Sequence, residues 1–413
     1  MSTLISTIQW PRALSAMRHR NFRLFFVGQL VSVVGTWMQS TAQQWLVYRI
    51  TGSQTSLGMV TFIGFLPVLL LSLFMGVLVD RVSRRRLLIF TQTWFMLLAV
   101  VLAVLTATGV VQYWHILILA GLLGIGNALD MPARQTFVVE LVDQDKGDVM
   151  NAIGLNSSLF NLARIVGPAV GGAVVAALGE APAFAINAVT FLAVIAALLL
   201  MRLQTVTTET NQHRPWENLL YGFRYMKRTR RVLGLVVMVA AFSMVGFGAL
   251  TLLPVFAKDI LKIGVKGFGQ LLSVQGVGAL IGALLLVVAE ERFHKGRTLL
   301  FSRALIGLAI GGLALSRIPW VSMLILGIAG YAFITQLILT NTLIQTIVPD
   351  DLRGRVLSTY TWAIGGFYPL GALLMGFLGD QLGAPTAAMI SAAGCAVLVG
   401  INLAFFPKMQ QLQ

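Results

Sequence analysis

The stretch Gly76-Val77-Leu78-Val79-Asp80-Arg81-Val82-Ser83-Arg84-Arg85-Arg86-Leu87-Leu88 decides the fold. One uninterrupted apolar segment, residues 54–79, runs into it, and another, residues 87–108, leaves it. A helix of about 20 apolar residues crosses a hydrocarbon core of roughly 30 Å. Two such segments joined by four arginines and one aspartate read as two membrane-spanning helices with a tight basic turn at the bilayer surface.

The rest of the chain agrees. Hydrophobic residues make up 57% of it and charged residues 11%, with a mean hydropathy of +0.84. A soluble domain carries about 25% charged residues, so a soluble core of this size is excluded. Backbone groups in lipid must bond within their own segment, which selects helices. The ten-residue alternation of barrel strands is absent. The beginning is polar and basic (Arg12, Arg18, Arg20, Arg23) and is not expected to be a cleavable leader. The single cysteine, Cys395, rules out a disulfide framework.

Apolar runs punctuated by Gly, Pro and charge give twelve spans: 22–48, 54–79, 87–108, 114–141, 149–178, 181–201, 232–256, 268–289, 298–316, 320–347, 356–382 and 385–406. Twenty-three of the 30 Lys and Arg side chains fall on the side of the N-terminus, Arg303 among them. Five fall on the other side, and Arg134 and Arg164 lie within spans. The asymmetry places both termini in the cytoplasm. It also assigns the net charge of +15 to membrane orientation rather than to nucleic acid.

The predicted architecture is all-α and integral to the membrane, with two pseudo-symmetric six-helix bundles. Residues 1–21 form a cytoplasmic N-terminus, 22–201 the first bundle, 202–231 a linker, 232–406 the second bundle and 407–413 a tail. Within the linker, Trp216 to Lys227 has apolar residues at helical spacing, read either as an amphipathic interfacial helix or as a solvated connection. Two echoes support the duplication. Asp80-Arg81 returns as Glu291-Arg292 after 211 residues, and Val142 as Val348 after 206. Paired halves with a site between them near the midplane are how secondary transporters are built.

Within the spans, polar residues single themselves out by cost. Gln29, Ser32, Thr36, Gln39, Ser40 and Gln43 form one stripe of the first span, which lines either a water-filled cavity or a helix–helix contact. Asp130 in the fourth span is the acid nearest mid-depth, with Arg134 one turn on, in register to pair. Burial and a neighbouring cation act in opposite directions on such a carboxylate. The pair is thus either a poised proton site or a permanent ion pair. Glu140 closes the same span. In the fifth span Arg164 precedes Gly167-Pro168-Ala169-Val170-Gly171-Gly172, whose small residues permit close helix approach. The expected cavity wall takes Gln29, Thr36, Gln39, Gln43, Asn127, Asn156, Asn161, Gln336, Asn341 and Tyr360.

Three strings, and a fourth stretch that fits with them, resemble those of the major facilitator superfamily. Gly76 to Leu88 is similar to its GxLaDrxGrkxxl turn, with Ser83 in place of a Gly. Arg164 to Gly172 resembles its gxxxGPxxGG exporter motif, with Ala163 in place of the leading Gly. Pro349-Asp350-Asp351-Leu352-Arg353-Gly354-Arg355-Val356 and Asp130-Met131-Pro132-Ala133-Arg134-Gln135 look like the macrolide-efflux and enterobactin-exporter branch. The resemblance implies a conformational latch in Gly76, Asp80, Arg81 and Arg84. Asp80 would meet a helix of the second half, and Arg84 would pair with Glu140.

No Walker loop exists, so direct use of ATP is not expected, nor is any enzymatic activity or cofactor. The four histidines are dispersed and the tail has no ligands, which argues against a metal site. The expected function is secondary active export of a small amphipathic organic molecule, a drug or a siderophore-like metabolite. It would work as a monomer in the inner membrane, by proton antiport and alternating access. A lysolipid flippase and a non-transporting membrane sensor on the same fold are the alternatives.

Overall fold

The computed structural model describes residues 12–142, 146–202, 224–288 and 294–405. The echo at Glu291-Arg292 and most of the segment from Trp216 to Lys227 lie outside the described residues, as does the side chain of Asp80. Twelve long helices follow in order: α1 Arg20–Thr51, α2 Gln54–Arg81, α3 Arg84–Ala107, α4 Tyr113–Glu140, α5 Lys146–Leu178 and α6 Glu180–Leu200. After the connection come α7 from Arg230, α8 Gly264–Val288, α9 Lys295–Leu315, α10 Pro319–Ile347, α11 Asp350–Leu382 and α12 Ala384–Phe405. Among the described residues there is no strand.

Eleven of the twelve are long and apolar enough to cross a membrane by composition. The exception is α1, whose Gln, Ser and Thr residues dilute an otherwise apolar helix of 32 residues. Two other elements depart from the sequence reading. Helix α11 begins at Asp350 rather than at residue 356, because the polar turn is itself helical. Pro349 occupies its N-cap and Asp350 pairs with Arg353 at 2.5 Å, an acid where the helix dipole favours one. Helix α7 continues past residue 256. It runs regularly over Arg230–Val245, tightens to a 3-10 turn over Phe247–Leu252, and ends in a π-turn over Phe256–Ile260. Gly246, Gly248 and Pro254 interrupt the regular ladder there.

Turns between the helices are short. Gly52, at φ 62°, ends α1 with its N–H donating to the Tyr48 carbonyl, and Ser53 caps α2 by accepting from the Ser56 N–H. In the first bundle α1 packs on α5 and α6, α3 on α4 and α6, and α2 on α4. The second bundle repeats the scheme, with α7 on α11 and α12, α9 on α10 and α12, and α8 on α10. The two principal cross-contacts between the bundles are α2 against α11 and α5 against α8. The end of the molecule holding Arg20 and Phe405 is called the terminal face below, and the opposite end the far face.

Candidate transport site

The two bundles meet at the far face through backbone-close packing. Gly58 of α2 lies against the Ala372 carbonyl of α11, and Gly376 of α11 against the Gln54 carbonyl. On the other side of the pseudo-axis, Gly172 of α5 faces Gly269 of α8. A Cβ on Gly172 would come 2.7 Å from the Val265 carbonyl oxygen, and one on Gly269 would collide with that of Pro168. Ser273 donates to the Ile165 carbonyl at 2.6 Å along the same seam. Small residues permit this because backbones can approach only where no side chain intervenes. The glycine string of α5 thus serves two neighbours. Gly167 and Gly171 seat α1 of their own bundle, against Trp37 and Met38, whereas Gly172 and the Pro168 carbonyl seat α8 of the other.

Polar contacts complete the far-face seal. Asp380, at the end of α11, accepts from the Ser53 hydroxyl at 2.6 Å and from the backbone N–H groups of Gln54 and Thr55 at 2.6 and 2.9 Å. A carboxylate from one bundle therefore caps a helix N-terminus of the other, where the dipole favours negative charge. Tyr48 of α1 donates to Asp259 of α7, and the Lys258 ammonium lies 5.0 Å from the Tyr48 ring centroid. Toward the terminal face the bundles part, and Gly154 of α5 and Gly354 of α11 have open space where a side chain would stand.

Removal of the Asp380 carboxylate is expected to loosen this seal. In an Asp380→Ala variant, a reporter cysteine at Leu69, in a Cys395→Ala background, should react faster with impermeant maleimide applied to the far face. An unchanged labelling rate would show that the glycine seams hold the face closed unaided.

Asp130 sits ten residues before the end of α4, about 15 Å along the helix. It is fully buried. One carboxylate oxygen accepts from Thr91 at 2.8 Å and Gln92 at 2.9 Å, both on α3, and the other pairs with Arg134. The Arg134 guanidinium lies 5.3 Å from the Phe160 ring centroid of α5. Asp130 is therefore held by three partners, with no surface open to water in this conformation. At the terminal face Arg84, in the first turn of α3, is in ion-pair contact with Glu140 at the end of α4. Backbone positions Gly76, Asp80 and Arg81 fall in the last turns of α2, beside this pair in sequence.

The expected cavity wall divides. Thr36 is exposed, and Gln43, Asn127, Asn156, Asn161 and Asn341 are half-buried. Asn341 accepts from Gln345 at 2.5 Å, and Asn161 donates to the Ser157 carbonyl at 3.1 Å. Of the remaining four, Gln29, Gln336 and Tyr360 are buried in this conformation and Gln39 is half-buried. Gln39 accepts from Asn187 of α6 at 2.7 Å, inside the first bundle. Tyr360 donates to the Leu337 carbonyl at 2.9 Å in the core of the second. Gln29 and Gln336 are 1% and 0% exposed. For Gln39 and Tyr360 the helix turns the polar group toward a neighbour in its own bundle, whereas the Gln29 amide nitrogen and both amide atoms of Gln336 are buried without a hydrogen-bond partner.

Arg303 is the largest displacement from the sequence reading. Counted there with the flanking cations, it lies inside α9, fully buried, with its guanidinium 5.7 Å from the Phe242 ring centroid. None of its three nitrogens has a hydrogen-bond partner. The signal that locates it was in the chain. The 211-residue offset carries Thr91 and Gln92 onto Ser302 and Arg303, and the 206-residue offset carries Asp130 and Arg134 onto Gln336 and Thr340. Thr91 and Ser302 both donate to the carbonyl three residues back, Leu88 and Leu299. The second bundle thus carries the sequence counterparts of the Asp130 node, with the acid replaced by an amide and the amide by a cation, but Arg303, Gln336 and Thr340 have buried polar atoms without hydrogen-bond partners.

Two six-helix halves, sealed against each other along glycine seams at one face and parted at the other, define a membrane transporter of the major facilitator fold. The chain belongs to the transmembrane secretion effector family, whose profile matches residues 12–413. It is 27% identical to a staphyloferrin A transporter of Staphylococcus aureus, over 87% of this chain and 90% of that one. It is also 27% identical to the multidrug efflux pump Tap of Mycolicibacterium fortuitum, over 94% and 96%. The enterobactin exporter EntS of Salmonella choleraesuis shares 24% identity over 95% and 94%. Among solved structures, a mutant of the nucleoside transporter NupG superposes with a TM-score of 0.79 at 15% identity, covering 94% of this chain and 100% of that one. A bacterial homologue of the lysosomal transporter Spinster gives 0.74 at 15% identity, covering 97% of each. The protein is accordingly a multi-pass membrane transporter of the exporter type and not an enzyme.

Proposed function

We propose that this protein exports a small organic molecule across the inner membrane in exchange for protons, as a monomer with both termini in the cytoplasm. The observation that carries the coupling is Asp130, the acid set deep within a span and bonded so that neutralising it releases a cation. A proton on Asp130 cancels the charge that holds Arg134, leaving Thr91 and Gln92 to satisfy the neutral group. Arg134 then swings from α4, and the node changes shape. Loss of the proton on the opposite face restores the pair.

The arginine distribution supports a cytoplasmic terminal face, and on that orientation the conformation described here is read as the inward-open one. In the outward-open one, the far-face contacts of Asp380, Asp259 and the glycine seams separate. The Arg84–Glu140 pair, already formed within the first bundle here, then holds the turn while Asp80 meets a helix of the second half and latches the cytoplasmic end. Relatives named for siderophore transport and drug efflux support a substrate of either kind.

The test uses everted vesicles energised to an acid interior. Ethidium, erythromycin, a catecholate siderophore and a citrate-based siderophore are added in turn, and the pH gradient is followed. At least one should discharge it, only in vesicles containing the protein. Accumulation of a compound with no loss of the gradient would exclude proton antiport.

A further inference from the structure

We infer that Arg164 is the recognition point for an anionic group of the transported molecule, a carboxylate or comparable oxyanion carried on an apolar or aromatic body. The inference rests on the exporter reading above and adds the charge class of the cargo.

Arg164 is the nineteenth residue of the 33 in α5, close to mid-depth. It lies where the far-face seam ends, since Gly276 of α8 closes on its backbone carbonyl. Around the helix it falls between the strip that seats α1 (Gly167, Gly171) and the strip that seats α8 (Pro168, Gly172). The lipid-exposed strip, Leu162, Val166 and Val170, is on the opposite side. Its side chain is half-buried, and helical spacing sets it on the face of α5 between the strips that touch the two bundles. Within electrostatic reach stands Tyr368 of α11. That ring packs edge-on against Phe65 of α2 at 5.6 Å and faces Phe247 of α7 at 6.5 Å. A cation at the floor of the cleft is therefore framed by aromatic side chains from both bundles.

Among the described residues no carboxylate answers it. Each described acid is engaged elsewhere: Asp130 with Arg134, Glu140 with Arg84, Asp148 with Arg18, Glu180 with Arg49, Asp259 with Tyr48, and Asp350 with Arg353. Asp380 caps α2. Arg303, without a counter-ion in the second bundle, adds to the positive field. A guanidinium stays charged at every accessible pH, and isolating it from water and from an anion is costly. Its planar fork fits a carboxylate through two parallel N–H···O bonds, stronger than neutral ones. A cleft with low-dielectric walls and one sign of charge concentrates ligands of the other sign.

The test is binding to the purified full-length protein in detergent, with three probes on one ring system: 1-naphthoate, 1-naphthylmethanol and 1-naphthylmethylammonium. Tryptophan quenching gives the affinities. Naphthoate should bind on the order of 10-fold tighter than the alcohol, the worth of a charge-assisted hydrogen-bond pair, and the ammonium weakest. Arg164→Gln should erase the preference for the anion, and Arg164→Lys should keep part of it. Unliganded melting temperature and monodispersity show whether each variant is folded. If Arg164→Gln does not fold, the wild-type ranking and the Lys variant decide. A wild-type protein that prefers the ammonium, binds none of the probes, or keeps its preference in Arg164→Gln overturns the inference. Proton-coupled export of cations alone would overturn it while leaving the exporter reading intact. Anion binding without proton exchange would do the reverse.

Discussion

Asp130→Asn is expected to abolish substrate-driven proton flux in proteoliposomes while leaving substrate binding within a few-fold of wild type. The amide matches the neutral acid in shape and can still accept from Thr91 and Gln92, the donors that meet one Asp130 oxygen at 2.8 and 2.9 Å. What it cannot do is alternate between holding and releasing Arg134. A permanent ion pair makes the opposite forecast. Breaking a buried pair by removing one partner costs about 3–5 kcal/mol, so the variant would lose stability, and residual transport would still follow the pH gradient. Flux and thermal melting on one preparation separate the two. Coupled flux that survives the substitution would shift the proton site to another acid, Glu140 first, and leave Asp130 a structural role.

The second large effect is expected at Gly172. A leucine there places a branched side chain where the Val265 carbonyl and the Gly269 backbone now stand, 2.7 and 3.1 Å from the position of a Cβ. Overpacking of this kind costs about 1–3 kcal/mol. Here the cost falls on the state in which the far face is closed, because α8 belongs to the other bundle and can withdraw. Alternating states differ by a few kcal/mol, so the population should move by about tenfold or more toward the outward-open form. Two-sided cysteine labelling reads the shift. Gly167→Leu is the informative contrast, since its clash is with Trp37 and Val34 of α1, inside the same bundle, and should lower stability instead. Gly154→Leu, with nothing within 4 Å, should do neither. Equal labelling ratios in Gly172→Leu and Gly154→Leu would refute a gating role for the seam.

The number of spans, the helix type and the two-half plan were legible in the chain, because each rests on local quantities, though two span ends were not. A run of apolar residues is long enough or it is not, and a cluster of arginines ends a span wherever it occurs. For the same reason Asp130 and Arg134 could be paired on sight, being one turn apart on one helix, and the glycine string of α5 could be read as a close-packing face. Partners were another matter. Gly167 and Gly172 belong to a single motif, yet one closes on its own bundle and the other on the opposite bundle. Thr36 and Gln39 lie on one polar stripe, yet the first is exposed and the second is bound to Asn187. Arg303 read as a flanking cation and proved to be enclosed among α7, α9 and their neighbours. The spacing of residues along a helix fixes which side chains share a face. Which way that face turns depends on the summed packing of the neighbouring helices, and those are brought together only when the chain folds.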